Sequence, residues 1–149
     1  CVIWQNKIIT GSKLKHYVNP IINIWNINTK QLEQTLEHLH DDSDIISLII
    51  YENKLYSTSR NGVINIWDNN FQYIKTLRLQ LFNEDVNEIV ITQNKIYVTH
   101  SNFNTNIFSK KILDSQTGLL LNNFIDISGN INTIQKWNNK LITTNINVI

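Results

Sequence analysis

The sequence predicts an all-β protein that is assembled from repeated four-stranded antiparallel units. Three observations lead to this prediction: hydrophobic residues make up 42% of the 149 residues, isoleucine is the most frequent of them, and short phrases recur at a nearly constant spacing. Branched side chains such as isoleucine lose rotamer freedom in a helix and pack well on a pleated sheet. Because apolar residues recur along the whole chain, the composition also disfavours disorder.

The recurring phrase has the form Asn-Lys-(Ile/Leu)-(Ile/Tyr), and its four copies begin at Asn6, Asn53, Asn94 and Asn139. Successive copies start about 41–47 residues apart, and an apolar run precedes each of the last three. Four short strands within a period of this length are typical of a β-propeller blade. We therefore expect one propeller domain over residues 1–149, with approximate repeats at 1–36, 45–77, 86–124 and 131–149.

The best-preserved copy predicts four strands, at Ile45–Tyr51, Lys54–Ser59, Val63–Trp67 and 71–77. Its first turn is Glu52-Asn53 and its second is Asn61-Gly62. Both central residues of a two-residue hairpin turn need positive φ, which Gly accepts freely and Asn accepts better than most residues. The other copies predict later strands at 22–26, 31–36, 110–114 and 119–124, with longer loops at 13–20 and 101–110.

The stretch Ser57-Thr58-Ser59-Arg60-Asn61-Gly62-Val63-Ile64-Asn65-Ile66-Trp67-Asp68 resembles the core of a WD repeat. Similar phrases surround Trp25 in the first copy and the turn at 114–118 in the third, so the resemblance covers essentially the whole chain. It implies that Trp25, Trp67 and Asp68 are structural residues. It also implies a buried network of a histidine, a hydroxyl group, an acid and a tryptophan. In this chain the network would contain His40 or His38, Ser57, Asn61 and Trp67.

Two departures from the family pattern affect the expected stability. Asn61 stands where the family has an aspartate, so the network would lose about one charge-assisted hydrogen bond, roughly 1 kcal/mol. In the third copy Leu113 replaces the tryptophan. We therefore expect the blades to be held together mainly by apolar packing between neighbouring sheets.

The resemblance also indicates a candidate partner-binding surface. Arg60 stands immediately before the turn position Asn61, where such domains direct side chains towards the central opening of a propeller face. Its planar, multiply donating guanidinium suits an interface. Asp44, Asp85 and Asn130 each precede a first-strand pattern by one residue, which is another surface position that WD-repeat domains use. We expect these four residues to contribute to one contact face; the alternative is that they are solvated turn residues.

The composition argues against several other functions. A net charge of +1 with 17% charged residues provides no basic surface for nucleic acid. Cys1 is the single cysteine, so no internal disulfide and no cysteine pair for a metal centre can form, which favours a reducing, cytoplasmic location. The sequence has no apolar run long enough to insert into a membrane and no glycine-rich loop for a phosphate group. We expect no cofactor.

One cluster in the sequence contains residue types that can bind a metal ion. His38 and His40 have the spacing of residues on one side of a strand, and Asp41, Asp42 and Asp44 follow them. The acidic residues lack the glycine and the distant glutamate of a calcium loop. We favour a structural histidine and a solvated acidic turn, and expect no metal site.

These observations predict a scaffold without catalytic activity that presents loops on a propeller face to protein partners. Within that class, the chain could be the substrate-recognition part of a ubiquitin-ligase adaptor or the targeting module of a larger enzyme. Outside it, the alternatives are a propeller that binds a ligand in its central channel and a structural component of a virus particle or cytoskeletal assembly. Because the length holds only three to four repeats, we expect an incomplete arc, completed by a longer chain or by other copies.

Overall fold

The computed structural model describes residues 1–13, 19–37, 40, 43–79, 84–102, 107–126, 130–138 and 140–146. This part of the chain contains fourteen β-strands and no helix. It forms two compact units, Cys1–Leu77 and Arg78–Ile149. No helix in the described ranges is long and apolar enough to cross a membrane.

The strands form three four-stranded sheets and one two-stranded sheet, each ordered along the sheet as in the sequence. Every strand pair with a described register is antiparallel. Sheet 1 contains β1 (Val2–Trp4), β2 (Lys7–Gly11), β3 (Ile22–Asn26) and β4 (Leu32–Leu36). Sheet 2 contains β5 (Ile45–Tyr51), β6 (Lys54–Ser59), β7 (Val63–Trp67) and β8 (Tyr73–Arg78). Sheet 3 contains β9 (Glu84–Thr92), β10 (Lys95–Asn102), β11 (Ile107–Asp114) and β12 (Leu120–Asp126). Sheet 4 contains β13 (Asn130–Trp137) and β14 (Lys140–Ile146).

The all-β prediction and the repeated four-stranded antiparallel sheets are confirmed. The first three strands of sheet 2 have the predicted bounds, but its fourth strand begins at Tyr73, because Phe71 has a φ of 60° and belongs to the turn. In sheet 3 the predicted loop at 101–110 is wrong at both ends, since β10 continues to Asn102 and β11 already begins at Ile107. Residues 14–18 of the predicted loop at 13–20 lie outside the described residues.

The first hairpin turn of sheets 1, 2 and 3 has the same backbone conformation. In each, both central residues have positive φ, as a type I′ turn requires: Gln5 and Asn6, Glu52 and Asn53, Gln93 and Asn94. The recurrent Asn before Lys is therefore explained by local backbone geometry, as predicted. This turn also matches the right-handed twist of the strands that it joins.

The second turn of sheet 2 differs from the prediction. Gly62 has a φ of 82°, but Asn61 is absent from the positive-φ residues, so Asn61-Gly62 is not a two-residue type I′ turn. Instead a three-residue loop, 60–62, joins β6 to β7, and the Gly62 N–H donates to Ser59 O at 3.0 Å. The Asn61 side chain accepts from Ser59 Oγ at 2.6 Å and from the Val63 N–H at 3.4 Å, which closes the loop locally.

The turn between the third and fourth strands is closed each time by an Asn or Asp side chain. Asp68 Oδ1 accepts the N–H groups of Asn70 and Gln72 at 2.8 and 2.9 Å. Asn26 and Asp114 occupy the same position in sheets 1 and 3, and each accepts two backbone N–H groups. A side chain that satisfies the donors of the following turn explains why this position is Asn or Asp in all three sheets.

The core of the first unit lies between sheets 1 and 2. Its buried residues are Ile9, Ile22, Ile24, Leu36, Ile45, Leu55, Trp67 and Phe71. Phe71 also meets the Trp4 ring edge-on, with the centroids 5.5 Å apart. The backbone adds one bond between the sheets, because Ile45 N–H donates to Ser12 O at 3.2 Å. Apolar packing therefore joins these two sheets.

Candidate functional site

The predicted residues Arg60 and Asp44 meet where β6 ends and β5 begins. The Arg60 N–H donates to Asp44 O at 2.9 Å, and Arg60 Nη2 lies 3.5 Å from Asp44 Oδ2. The Arg60 side chain is 42% exposed and that of Asp44 is 22% exposed. Ser43 Oγ accepts the Asn61 N–H at 3.1 Å and ties the loop to the same strand end. Asp44 thus orients a guanidinium that remains accessible to solvent.

A buried hydrogen-bond network lies beneath this strand end. Trp67 Nε1–H donates to Ser57 Oγ at 3.0 Å, and Ser57 Oγ lies 2.8 Å from His40 Nε2. Asn65 Nδ2 also approaches His40 Nε2, at 3.3 Å. Thr76 Oγ1 donates to Asn65 Oδ1 at 2.5 Å. His40, Ser57, Asn65 and Trp67 are all buried, so these bonds replace the water that the polar atoms would otherwise need.

His40 Nε2 is the ring nitrogen that the network engages. The Ser57 hydroxyl and the Asn65 amide both contact it, and Trp67 donates to the same Ser57 oxygen. Since Ser57 is fully buried and engaged with both the imidazole and the indole, the His40–Ser57 pair holds the fold together and has no exposed hydroxyl to react with a substrate.

The structure changes one member of the predicted network. His40, Ser57 and Trp67 come together, but Asn65 is the fourth residue and Asn61 is not, because the Asn61 side chain bonds within its own loop. Asn65 lies opposite Ser57 in the register of β6 and β7, which brings its amide to the imidazole. The alternative His38 lies outside the described residues.

The same positions in sheets 1 and 3 show how far the network repeats. In sheet 1, Trp25 Nε1–H donates to Thr10 Oγ1 at 3.2 Å. Trp25 and Thr10 have the same relative positions on their two paired strands as Trp67 and Ser57 have in sheet 2. In sheet 3, these two positions are Leu113 and Val98, both buried. Sheet 3 thus has two aliphatic side chains where sheet 2 has the hydroxyl and the indole. Because both polar groups are replaced, no buried donor or acceptor is left unpaired at these two positions.

Sheet 3 instead carries a charged cluster that the sequence did not reveal. Glu84 Oε2 lies 3.0 Å from Lys111 Nζ and 3.1 Å from His100 Nδ1. Lys111 lies opposite Val98 in the register, at the position of Asn65 in sheet 2. The three residues come from three different strands and follow no motif, so only the register brings them together.

Burial lowers the pKa of His100 to about 4; the charge of Lys111 acts in the same direction, and that of Glu84 opposes both. Neither ring nitrogen has an aligned hydrogen-bond partner among the described residues, so an imidazolium ion here would be poorly solvated. The neutral form is consequently the one that the folded chain accommodates.

We expect this buried histidine to make the fold sensitive to acid. The unfolded chain takes up the His100 proton near its ordinary pKa, whereas the folded chain resists it, so stability falls as the pH falls from about 6.5 to about 4. The loss should be about 1–2 kcal/mol, because partial solvent contact of the cluster screens the charges. Urea unfolding at about pH 7 and about pH 4.5 would measure it. The non-titrating variant His100→Gln should lose less stability over the same interval, and an equal loss would contradict the assignment.

The other two predicted site residues occupy the corresponding places in their own sheets. Asp85 is the second residue of β9 and lies opposite Ser101 of β10. Asn130 is the first residue of β13 and lies opposite Ile146, but its side chain lies outside the described part of the chain. Both belong to the second unit, whereas Asp44 and Arg60 belong to the first. Among the four residues, the contact that the structure describes is the one between Arg60 and Asp44.

The possible metal ligands are not all described. His38, Asp41 and Asp42 lie outside the described residues, and His40 is bound to Ser57 and Asn65. Within the described ranges, no group of three or more His, Cys, Asp or Glu residues could hold a metal ion.

Comparisons with known proteins show similarity of fold. No family model matches the chain. The probable di- and tripeptidase DUG2 of Saccharomyces cerevisiae is 32% identical over 69 residues, which are 43% of this chain and 8% of that protein. The chain therefore spans a small part of the length of this curated relative.

Three solved structures are similar over most of the chain. The computationally designed Ika4 protein has a TM-score of 0.68 at 18% identity and covers 96% of this chain and 81% of its own. The designed Ika8 protein has a TM-score of 0.67 at 19% identity, over 95% of this chain and 41% of its own. A europium-containing methanol dehydrogenase has a TM-score of 0.63 at 14% identity, over 83% of this chain and 23% of its own. At these identities the likeness is one of fold and carries no activity with it.

Proposed function

We propose that the chain is an arc of a WD-repeat β-propeller and acts as a scaffold, without catalytic activity, for protein partners. The observation that carries this proposal is the repeated link between an indole N–H and a hydroxyl group on the neighbouring strand, at Trp25–Thr10 and Trp67–Ser57. His40 extends the second link in the way that the WD-repeat resemblance implies. In this proposal, further chain or other copies supply the remaining blades.

The scaffold role rests on how the network supports the strand end. His40 and Ser57 are buried and rigidly bonded, while Arg60 lies three residues further along the chain than Ser57 and is accessible. The backbone and side-chain bonds from Asp44 orient Arg60 before any partner arrives, so less conformational entropy is lost on binding. An arginine oriented in this way can contact a carboxylate or the face of an aromatic ring.

This proposal is tested by capturing partners with the chain and with charge-reversed variants. We expect Arg60→Glu and Asp44→Lys each to lower the recovery of at least one partner by about tenfold or more, the effect of losing a central interface contact. Lys54→Glu is the matched control, because Lys54 is exposed at the opposite end of β6 and should leave recovery unchanged. Circular dichroism should show that all three variants keep the wild-type fold. Unchanged recovery of every partner by the Arg60 and Asp44 variants would refute the proposed surface.

A second candidate is a recognition module within a larger enzyme. The match to part of a protein named as a probable di- and tripeptidase favours this candidate. The surface and the variants are the same in both cases, but the captured partner differs. A scaffold recovers independent proteins, whereas a recognition module recovers peptides or proteins that the attached enzyme acts on.

A further inference from the structure

The outermost strand of sheet 3 presents an apolar stretch to solvent. β12 has one hydrogen-bonded neighbour, β11, and no other strand of the described residues pairs with its second edge. Leu119, directly before the strand, is 67% exposed, and Leu120 and Leu121 are each 53% exposed. An edge with unpaired backbone groups and apolar side chains is a template for another strand.

The corresponding strands of sheets 1 and 2 are protected by charge, and β12 is not. β4 carries Glu33 in its interior and β8 carries Lys75. In contrast, residues 117–125 contain no charged side chain and no proline, and Asp126 is the first charge in β12. Charged residues on edge strands prevent pairing with other chains, because pairing would bury them or bring like charges together. β12 lacks this protection.

We infer that β12 pairs antiparallel with β12 of a second copy of this chain. The strand sequence LLNNFI has the same order of apolar and polar positions in both directions. When Asn122 of one copy is set opposite Asn123 of the other, positions 120 and 121 are opposite positions 125 and 124, so residues of apolar type are matched with residues of apolar type. Asp126 stands opposite Leu119, and no like charges face each other. Cross-strand pairs of this kind stabilise a ladder, and the arrangement is a closed two-fold contact.

The contact has a natural limit. Leu113 pairs with Leu120 and Ile112 with Asn122, so Leu121 is the extra residue of a β-bulge. A bulge bends the strand and interrupts regular pairing, which leaves a short ladder around Asn122 and Asn123. We therefore expect a reversible dimer that dissociates on dilution. This inference does not depend on the proposed scaffold function.

Sedimentation equilibrium over a range of concentrations tests the dimer. We expect reversible dimerisation that Leu120→Lys and Leu121→Lys each weaken by about tenfold or more, since every substitution is present twice in a two-fold contact. Leu32→Lys is the matched control, because Leu32 is 48% exposed on the corresponding strand of sheet 1 and should leave dimerisation unchanged. A monomer at every concentration would overturn the inference. So would a dimer that the β12 variants weaken no more than Leu32→Lys, which would place the contact elsewhere.

The register is tested separately by oxidative cross-linking. In a Cys1→Ser background, Asn122→Cys and Asn123→Cys are prepared as two single variants and mixed. Opposite residues of an antiparallel pair are within the Cα separation that a disulfide spans. We expect the mixture to form a covalent dimer several-fold faster than either variant alone. Equal rates in all three samples would rule out this register, and β12 pairing with it.

Discussion

Replacing Trp67 by leucine is expected to lower the free energy of unfolding by about 2–4 kcal/mol, because a buried ring and a buried hydrogen bond are lost together. Trp67 is 4% exposed, donates to Ser57 and contacts the Tyr73 ring edge-on with a centroid distance of 5.9 Å. The variant also removes the indole N–H that donates to the buried Ser57 hydroxyl. Urea denaturation monitored by circular dichroism would measure the change.

Sheet 3 shows which second substitution should offset part of this cost. Val98 and Leu113 occupy the positions of Ser57 and Trp67 there and pack without polar groups. We expect Ser57→Val alone to cost about 1–3 kcal/mol, since it leaves the indole N–H of Trp67 buried without its acceptor. The double variant should cost at least about 1 kcal/mol less than the sum of the two single variants.

The tryptophan of sheet 1 is the matched control. Trp25 makes the same type of hydrogen bond, to Thr10, but is only half-buried. Trp25→Leu should therefore cost less than Trp67→Leu. Two results would contradict the account of the network: equal costs at the two tryptophans, or strict additivity of the Ser57 and Trp67 substitutions.

The second large effect is expected at Gly11, where sheets 1 and 2 approach each other closely. A Cβ atom at this position would lie 2.5 Å from Ile45 Cγ2 and 3.0 Å from Ile45 Cβ. Ile45 is buried, and these atoms lie next to its backbone, so the side chain cannot turn away. We expect Gly11→Ala to destabilise the fold by about 1–3 kcal/mol, the cost of overpacking.

A double-mutant cycle with Ile45→Ala isolates this contact. Ile45→Ala removes Cγ2, the nearer of the two atoms, and keeps the Cβ at 3.0 Å, at a cost of about 2–4 kcal/mol for the lost core side chain. In that background Gly11→Ala should cost clearly less than in the wild-type chain, because the shorter contact is gone and alanine lowers the entropy of the unfolded chain. Thermal and urea unfolding of the four proteins would measure the coupling. Equal costs of Gly11→Ala in both backgrounds would show that the contact does not limit this position.

Much of the fold was predictable because its signals are local. Asn53 and Asn94 mark type I′ turns through their tolerance of positive φ, and Asp68 closes a turn whose donors lie within four residues. The bounds of β5, β6 and β7 were predictable because each strand is a run rich in β-branched and other apolar residues that ends at such a turn. Where turn chemistry is ambiguous, the predictions were less accurate: Asn61-Gly62 lies in a three-residue loop, and Phe71 adopts a positive φ that its residue type does not suggest.

The candidate site was predictable in part. The sequence predicts Arg60 and Asp44 as two positions on one surface, and the structure shows that they form an ion pair with each other. The prediction that Asn61 belongs to the buried network was wrong. Asn65 takes that place, because the pairing of β6 with β7 brings its amide to His40. It stays a prediction that Asp85 and Asn130 contribute to the same contact face as Arg60 and Asp44.

By itself, the sequence determined the β class, the number of strands in each repeated unit and the chemistry of the turns. These depend on backbone preferences and on apolar periodicity, which act over a few neighbouring residues. Only the tertiary structure decided that Glu84, His100 and Lys111 form one cluster, that Gly11 faces Ile45 and that β12 is an apolar edge. These contacts depend on strand register and on the distance between sheets, which join residues far apart in the chain and leave no local pattern in it.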